Sequence, residues 1–557
     1  MTRSFNDEKL LRCGFHRLEN SMIQNPILRG FCPDPSIIRA GNDYYIAVST
    51  FEWWPGVKLF HSGDLVHWRQ IKSPLCRDSQ LNMLGDPPAG GVWAPCLSYD
   101  GERFYLVFTD VKTKKGRFYN THNYLVYADD IEGEWSEPVY LNSIGFDPSL
   151  FHDRDGRKYL INMVNGFKGI LVQEIDTKTW RLTGERKKVY DGSGIGLTEG
   201  PHMYHIGDYY YLLTAEGGTA YEHCVSMARA RDIWESFETM QGNPLLTSNR
   251  EDPSALQKCG HGDLVETPEG EWYLVHLCSR PLADRDWCIL GRETAIQKIE
   301  FTQDGWPRLS QGGNFGHREV PELMGDIDDA HDQDDSCNNR QDNSCNTWEF
   351  TDDFEQDVLD IRYSSPRVSY ESFSDTTVRK GYLRLTGRES MNSLHHVSLI
   401  AVRLQEKDVC AETSLDFLPE YPEQLAGLTL MYDALNFYIF GKTAAEDGTA
   451  RLILLKSDKG VITDEILPIE IPMQGTICLK AAMTENGSAV RFVYHEEGGD
   501  WQQAGGDYTT EIVTDEYCLG FTGAHFGMYV HDLAGLFCSA DYDYFKVYSN
   551  GEQETGI

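Results

Sequence analysis

The stretch AGNDYYIAVST, residues 40–50, is a polar turn running into an aromatic and β-branched strand. The same unit returns four times: ERFYLVFT from 102, GRKYLINMV from 156, DYYYLLTA from 208 and EWYLVHL from 271. Each copy follows a turn of its own, namely YDGERF, RDGRKY, IGDYYY and PEGEWY after the first AGNDYY, as in the inner strand of a β-hairpin. Several copies are followed by a Trp-bearing strand: DLVHWRQI, IEGEWSEPVYL, KTWRLTGE and DIWESFE. A β-sandwich would explain the short strands but not the recurrence of the whole unit at intervals of roughly 50 to 60 residues. An all-β fold beginning with a five-bladed β-propeller is therefore predicted, each blade a small antiparallel sheet around a central axis.

Beyond Gly325 the composition changes. Residues 326–346, DIDDAHDQDDSCNNRQDNSCN, hold six aspartates by position 335 and almost no apolar side chains. They read as an acidic linker or surface loop, and they lack the mid-loop glycine and closing glutamate of an EF-hand. Residues 347–557 again alternate in strands, at GYLRLTG, CAETSLDFL, LTLMYDALNFYIFGK, ARLILLKS, SAVRFVYH and YCLGFTGAHFGMYV, without the long repeat. An antiparallel C-terminal β-sandwich is expected there. The predicted organisation is an N-terminal extension (1–22), the propeller (23–325), the linker (326–346) and the sandwich (347–557).

The chain has 557 residues, long enough for two or three domains, with 41% hydrophobic and 12% aromatic residues and 51 glycines. A formal charge of −36 without basic runs argues against a nucleic-acid partner. The first twenty residues lack the apolar stretch of a signal peptide and no run of 18 apolar residues follows, so no membrane partner and a cytoplasmic location are expected. The 14 cysteines are scattered singly, in keeping with buried thiols in a reducing compartment.

The chemistry-bearing residues stand just ahead of the repeated strands. In FCPDPSII, residues 31–38, Pro33 and Pro35 bracket Asp34; proline fixes its own φ and pushes its predecessor toward extended geometry, so Asp34 is expected to be aimed from an extended backbone. The triplet DPS recurs at Asp147 in IGFDPSLF and at Asp252, while GLTEGPHMY offers Glu199 at what reads as the same place before the fourth repeat. Blade strands converge at one mouth of a propeller, so Asp34, Asp147 and Glu199 are placed to face one cavity. Carboxyls brought together raise one another's pKa, which keeps one protonated while another stays ionised, the arrangement glycoside hydrolysis uses. The aromatic stretches STFEWWPG and GGVWAPCLSYD suit the faces of sugar rings.

Together, NPILRGFCPDPSIIRAGNDYYIAVSTFEWWPGVKLFHSGDLVHW, GVWAPCLSYDGERFYLVFTD, FDPSLFHD and TEGPHMY resemble the β-xylosidases of glycoside hydrolase family 43, which join a five-bladed propeller to a C-terminal β-sandwich. The resemblance covers essentially the whole chain. It implies an inverting mechanism with Asp34 in PDPS as general base, Glu199 in TEGP as general acid, and Asp147 in FDPS tuning and orienting the acid. Asp252 matches no catalytic motif and reads as a turn former. Phe51 and Trp93 are implied as apolar pocket walls, Arg292 in LGRE as a ligand for substrate hydroxyls, and His261 in GHGD as a residue of the central channel. In some members that channel holds a divalent ion, usually calcium, which makes His261 the candidate metal residue; no cofactor is otherwise required. A sandwich loop closes part of the pocket, and the corresponding stretch is GFTGAHFGMYVHDL, residues 520–533. Where members carry an aromatic this chain has His525, followed by Phe526, and one of the two is expected to reach the pocket, with Phe526 taken as the candidate.

The activity implied is exo-acting release of xylose from β-1,4-xylo-oligosaccharides, with side activity on α-L-arabinofuranosides. A dedicated arabinofuranosidase and a noncatalytic carbohydrate-binding protein are the alternatives. A xylo-oligosaccharide is thus the expected partner, and self-association into a homo-oligomer is compatible with the reading.

Overall fold

In the computed structural model, residues 22–549 are described except 253, 283–284, 322–339 and 342–347. Five antiparallel sheets follow one another along the chain, and in each the repeated strand is the second of four. In blade I, Ser36–Ala40 pairs with Asp43–Val48, followed by Lys58–Ser62 and Trp68–Ile71. The first strands of blades II to V are Gly91–Tyr99, Ser149–His152, Glu199–Ile206 and Gln257–Glu266. Neighbouring first strands touch in a closed cycle, the last against the first, so they surround the axis. The Trp-bearing segments lead into or form the fourth, outer strands, and blade V supplies its own at Trp306, just before Pro307–Leu309.

Met22–Gln24 pairs with Glu319–Pro321, and the Asn25 side chain bonds Ile296 on both its N–H and its C=O, tying the chain entry to blade V. Most of the acidic segment lies outside the described residues. Of it, Arg340–Gln341 adds a fifth strand to the outer edge of blade I. Among the described residues no helix is long and apolar enough to cross a membrane.

From Trp348 onward two large antiparallel sheets enclose a core of Leu, Ile, Val and aromatic side chains. LTLMYDALNFYIFGK is a hairpin of Gln424–Asp433 and Asn436–Ala444. YCLGFTGAHFGMYV departs from the expected strand in its first half. Asp515–Cys518 is a single helical turn capped by the Thr514 side chain, Leu519 turns left-handed at φ 54°, and the strand begins only at His525. Gly520 lets this loop pass Tyr432 of the sandwich, where a Cβ would stand 2.6 Å from the hydroxyl, and Gly523 lets it lie against the propeller. At Gly523, with φ +76°, a Cβ would stand 2.6 Å from the Leu290 carbonyl, and at Gly291 one would meet the Gly523 nitrogen at 2.7 Å. The Ala524 N–H donates to the Ile289 carbonyl at 2.8 Å across the same junction.

A second junction forms where Ser365–Pro366 pairs with Trp53–Trp54. Next to it the Arg367 N–H donates to the Glu52 carbonyl (2.8 Å) and its Nε to the Asp86 carbonyl (2.7 Å).

Candidate active site

The five first strands are entered through one repeated local conformation. Asp34, Ala94, Asp147, Gly200 and His261 occupy equivalent places, two residues before the partners of Ala47, Val107, Ile161, Leu213 and Val275 on the repeated strands. All five have left-handed backbones, with φ of 51°, 37°, 51°, 53° and 37°. This corrects the extended geometry expected for Asp34. Aspartate tolerates the left-handed region better than most residues, whereas Ala94 and His261 hold it at a cost on the order of 1–3 kcal/mol each, which the surrounding sheet must offset.

The register also corrects the placement of Glu199. Gly200, not Glu199, is the equivalent of Asp34 and Asp147, and Glu199 stands one residue earlier, level with Trp93 and Phe146. The glycine is needed where it is, because a Cβ there would meet the His261 ring at 3.0–3.1 Å. Its N–H donates to Asp147 Oδ2 at 3.0 Å, linking the aspartate directly to the segment that carries Glu199.

All three carboxyls are buried. Asp34 Oδ2 accepts the Ser49 hydroxyl at 2.7 Å. Ser49 in turn accepts the Ala94 N–H at 2.7 Å, which leaves its own proton for Asp34. Asp34 Oδ1 lies 3.5 Å from His261 Nδ1. Burial pushes the His261 ring down to about 4, so it is neutral near pH 7. Burial raises Glu199 to about 7, against the lowering charges of Lys114 and Arg292. Asp147 is raised well above the carboxylate range by burial and then by the charges of Glu199 and Asp34. Near neutral pH this pair of carboxyls therefore retains a proton beside a third carboxyl held by hydrogen bonds.

The walls are aromatic. Phe51 stacks on Phe521 with centroids 5.6 Å apart, and Trp93 meets Phe521 edge-on at 6.3 Å and Phe146 at 5.5 Å. The Arg292 guanidinium lies over the Phe521 ring at 4.4 Å and donates to the Thr219 carbonyl at 2.8 Å, so blades IV and V and the sandwich all fix it. Lys114, at the end of the long strand Phe104–Lys115, sets its ammonium 4.8 Å above Trp93 and 4.9 Å above Phe146.

Phe526 does not belong to this wall. It is fully buried in the sandwich core, while His525, one residue away and on the opposite face of the strand, stacks on Trp53 at 4.0 Å in the domain junction. The aromatic that reaches the site is Phe521, from the loop before the strand; its signal in the sequence is an aromatic bracketed by glycines in GFTG. Lys114 and Ser49 carried no signal of their own. Asp252 is exposed, and its Oδ1 accepts the Ser254 N–H and hydroxyl, a local turn as expected.

Around His261 the residues present do not build a calcium cage, which takes about six to eight oxygens. Both oxygens of the nearby Asp263 already accept protein donors. Among the described residues no group of three or more His, Cys, Asp or Glu is placed to hold a metal ion.

Residues 23–307 match the model for glycosyl hydrolases family 43, and residues 351–548 match the β-xylosidase C-terminal concanavalin A-like domain. Xylosidase/arabinosidase 43B of Humicola insolens is 43% identical over 94% of this chain and 97% of its own. A β-xylosidase of Bacillus subtilis is 41% identical over 94% of this chain and 99% of its own. The crystal structure of a xylan β-1,4-xylosidase from Bacillus halodurans C-125 superposes with a TM-score of 0.88 at 44% identity, covering 94% of this chain and 99% of that one. With its propeller, its sandwich and a site drawn from both, the chain belongs to glycosyl hydrolase family 43.

Proposed function

We propose that the protein is an exo-acting, inverting β-1,4-xylosidase that releases xylose from the non-reducing ends of xylo-oligosaccharides. The observation that carries this reading is the gathering of three buried carboxyls from three blades beneath an aromatic wall, with burial holding Glu199 near 7. Asp34, fixed by Ser49, takes a proton from water; the water oxygen attacks the anomeric carbon from the face opposite the leaving sugar. As the glycosidic bond breaks, Glu199 gives its proton to the departing oxygen. Asp147 holds and orients the Glu199 segment through the Gly200 amide. Solvent restores both carboxyls. Acid and base are side chains, so the proposed chemistry calls for no cofactor.

Phe51, Trp93 and Phe521 would stack on the sugar, and Arg292 would take its hydroxyls. Action on α-L-arabinofuranosides as a second substrate is in keeping with the relative named xylosidase/arabinosidase. A noncatalytic binding role is not favoured, since binding needs no carboxyl held protonated.

The test is kcat/KM on xylobiose beside an aryl α-L-arabinofuranoside. Xylobiose is expected to be preferred and Asp34→Ala to abolish both activities. Glu199→Gln should lower kcat on xylobiose about a thousand-fold while xylose still binds. Preference for the arabinoside would reassign the substrate, and full turnover by Glu199→Gln would remove the acid from its role.

A further inference from the structure

Two residues beyond the ring of Asp34, Ala94, Asp147, Gly200 and His261 lies a second ring, level in register: Ser36, Cys96, Ser149, His202 and Asp263. Asp263 is its only carboxylate, is 4% exposed, and has no part in the proton transfers described above. Its Oδ2 accepts the Ser36 hydroxyl and the Ile37 N–H, each at 2.9 Å, from blade I. Its Oδ1 accepts the Tyr204 hydroxyl from blade IV and lies 3.4 Å from His202 Nδ1 on the same strand. Ser36 also accepts the Leu97 N–H of blade II at 3.1 Å, which orients its hydroxyl proton toward Asp263. One side chain of blade V thus bonds the strand that carries Asp34 and the strand that carries Glu199. The bonded residues are close along the chain to those two carboxyls: Ser36 is two residues from Asp34, and Tyr204 is five from Glu199. Asp263 is in turn two residues from His261, whose ring faces Asp34 and covers Gly200.

We propose that Asp263 is a positioning residue that sets the gap between Asp34 and Glu199, the distance that must admit one water for inversion. The inference rests on the reading of Asp34 as base and Glu199 as acid. A charged acceptor suits the task, because hydrogen bonds to a carboxylate are shorter and stronger than those to a neutral group. A shift of about 1 Å in such a constellation can cost roughly a hundred-fold in rate.

The test uses the full chain with Ser36→Ala, which removes one of the two bonds from the blade I strand to Asp263, Tyr204→Phe, which removes the bond from blade IV, and Asp263→Asn. For each variant Tm is measured, and kcat and KM are measured well below that temperature on xylobiose and on 2,4-dinitrophenyl β-D-xyloside. The activated leaving group of the second substrate needs little help from an acid but still needs water placed by the base. Both single-bond variants are expected to lose about ten-fold in kcat on both substrates, with KM within two-fold of the parent; Asp263→Asn is expected to lose more. If Ser36→Ala and Tyr204→Phe lower Tm yet leave kcat within two-fold, Asp263 is a structural clasp and the proposal is overturned. Failure of the catalytic reading has a different signature: Asp34→Ala or Glu199→Gln would keep its turnover, whatever the clasp variants do.

Discussion

Asp147 accepts the Gly200 N–H next to Glu199, and burial with the charges of Glu199 and Asp34 raises it well above the carboxylate range, so the proposed acid Glu199 titrates beside a carboxyl that keeps its own proton. An acid must be protonated to act, so activity is expected to fall as pH rises through about 7, the value to which burial lifts Glu199. Asp147→Asn keeps an oxygen that can accept the Gly200 N–H but replaces a carboxyl raised well above its usual range, so Glu199 titrates beside a neutral neighbour as before. The high-pH limb of kcat in a pH–rate series on xylobiose is therefore expected to stay near 7, and a limb moved down by about one unit would show that Asp147 is ionised beside the protonated Glu199. These carboxyls were legible in the sequence because each lies in a short motif shortly ahead of a repeated strand. Lys114 was not, since nothing in KTKKGRF distinguishes the lysine that turns onto Trp93 from its neighbours.

At the scale of elements, the repeat gave the propeller because five copies of one strand can hardly be explained otherwise, and the structure places every copy second in its sheet. The same reasoning misplaced Glu199 by one residue, as PDPS and TEGP differ in where the acid sits relative to the proline. It also misplaced the sandwich's contribution to the pocket. Alternation predicts which face of a strand a residue occupies, but Phe521 is positioned by a contact between loops more than 200 residues apart, which no local period records. That contact is testable at Gly523. An Ala there would need φ near +76° and would bring its Cβ 2.6 Å from the Leu290 carbonyl, so the loop must move. Gly523→Ala is expected to cost more than about 1 kcal/mol in stability and to raise KM for xylobiose roughly ten-fold as Phe521 leaves Phe51 and Arg292. Unchanged KM with a lowered Tm would show that the wall does not depend on this seating.

Across the whole molecule, the junction beside Trp53 is costly to charge. Glu52 is buried, and burial raises its carboxyl to about 7, with Arg367 of the sandwich the chief opposing influence. A carboxyl raised on folding favours the folded state most at low pH, and that advantage fades between its ordinary value of about 4.5 and about 7 as the unfolded chain gives up its proton first. The shift corresponds to an order of 3 kcal/mol. Stability is therefore expected to decline from pH 5 to pH 7, and Glu52→Gln, which retains an acceptor for the Ala89 N–H, should flatten that slope in denaturant titrations. The position of Phe521 has a consequence for synthesis. Chains emerge from the ribosome N-terminus first, and the three carboxyls have all been made by residue 199, yet the ring that completes their pocket arrives more than 300 residues later. A nascent or prematurely stopped chain would hold the proposed acid and base in an open, wet cleft, so this enzyme becomes competent only after Phe521 has been translated.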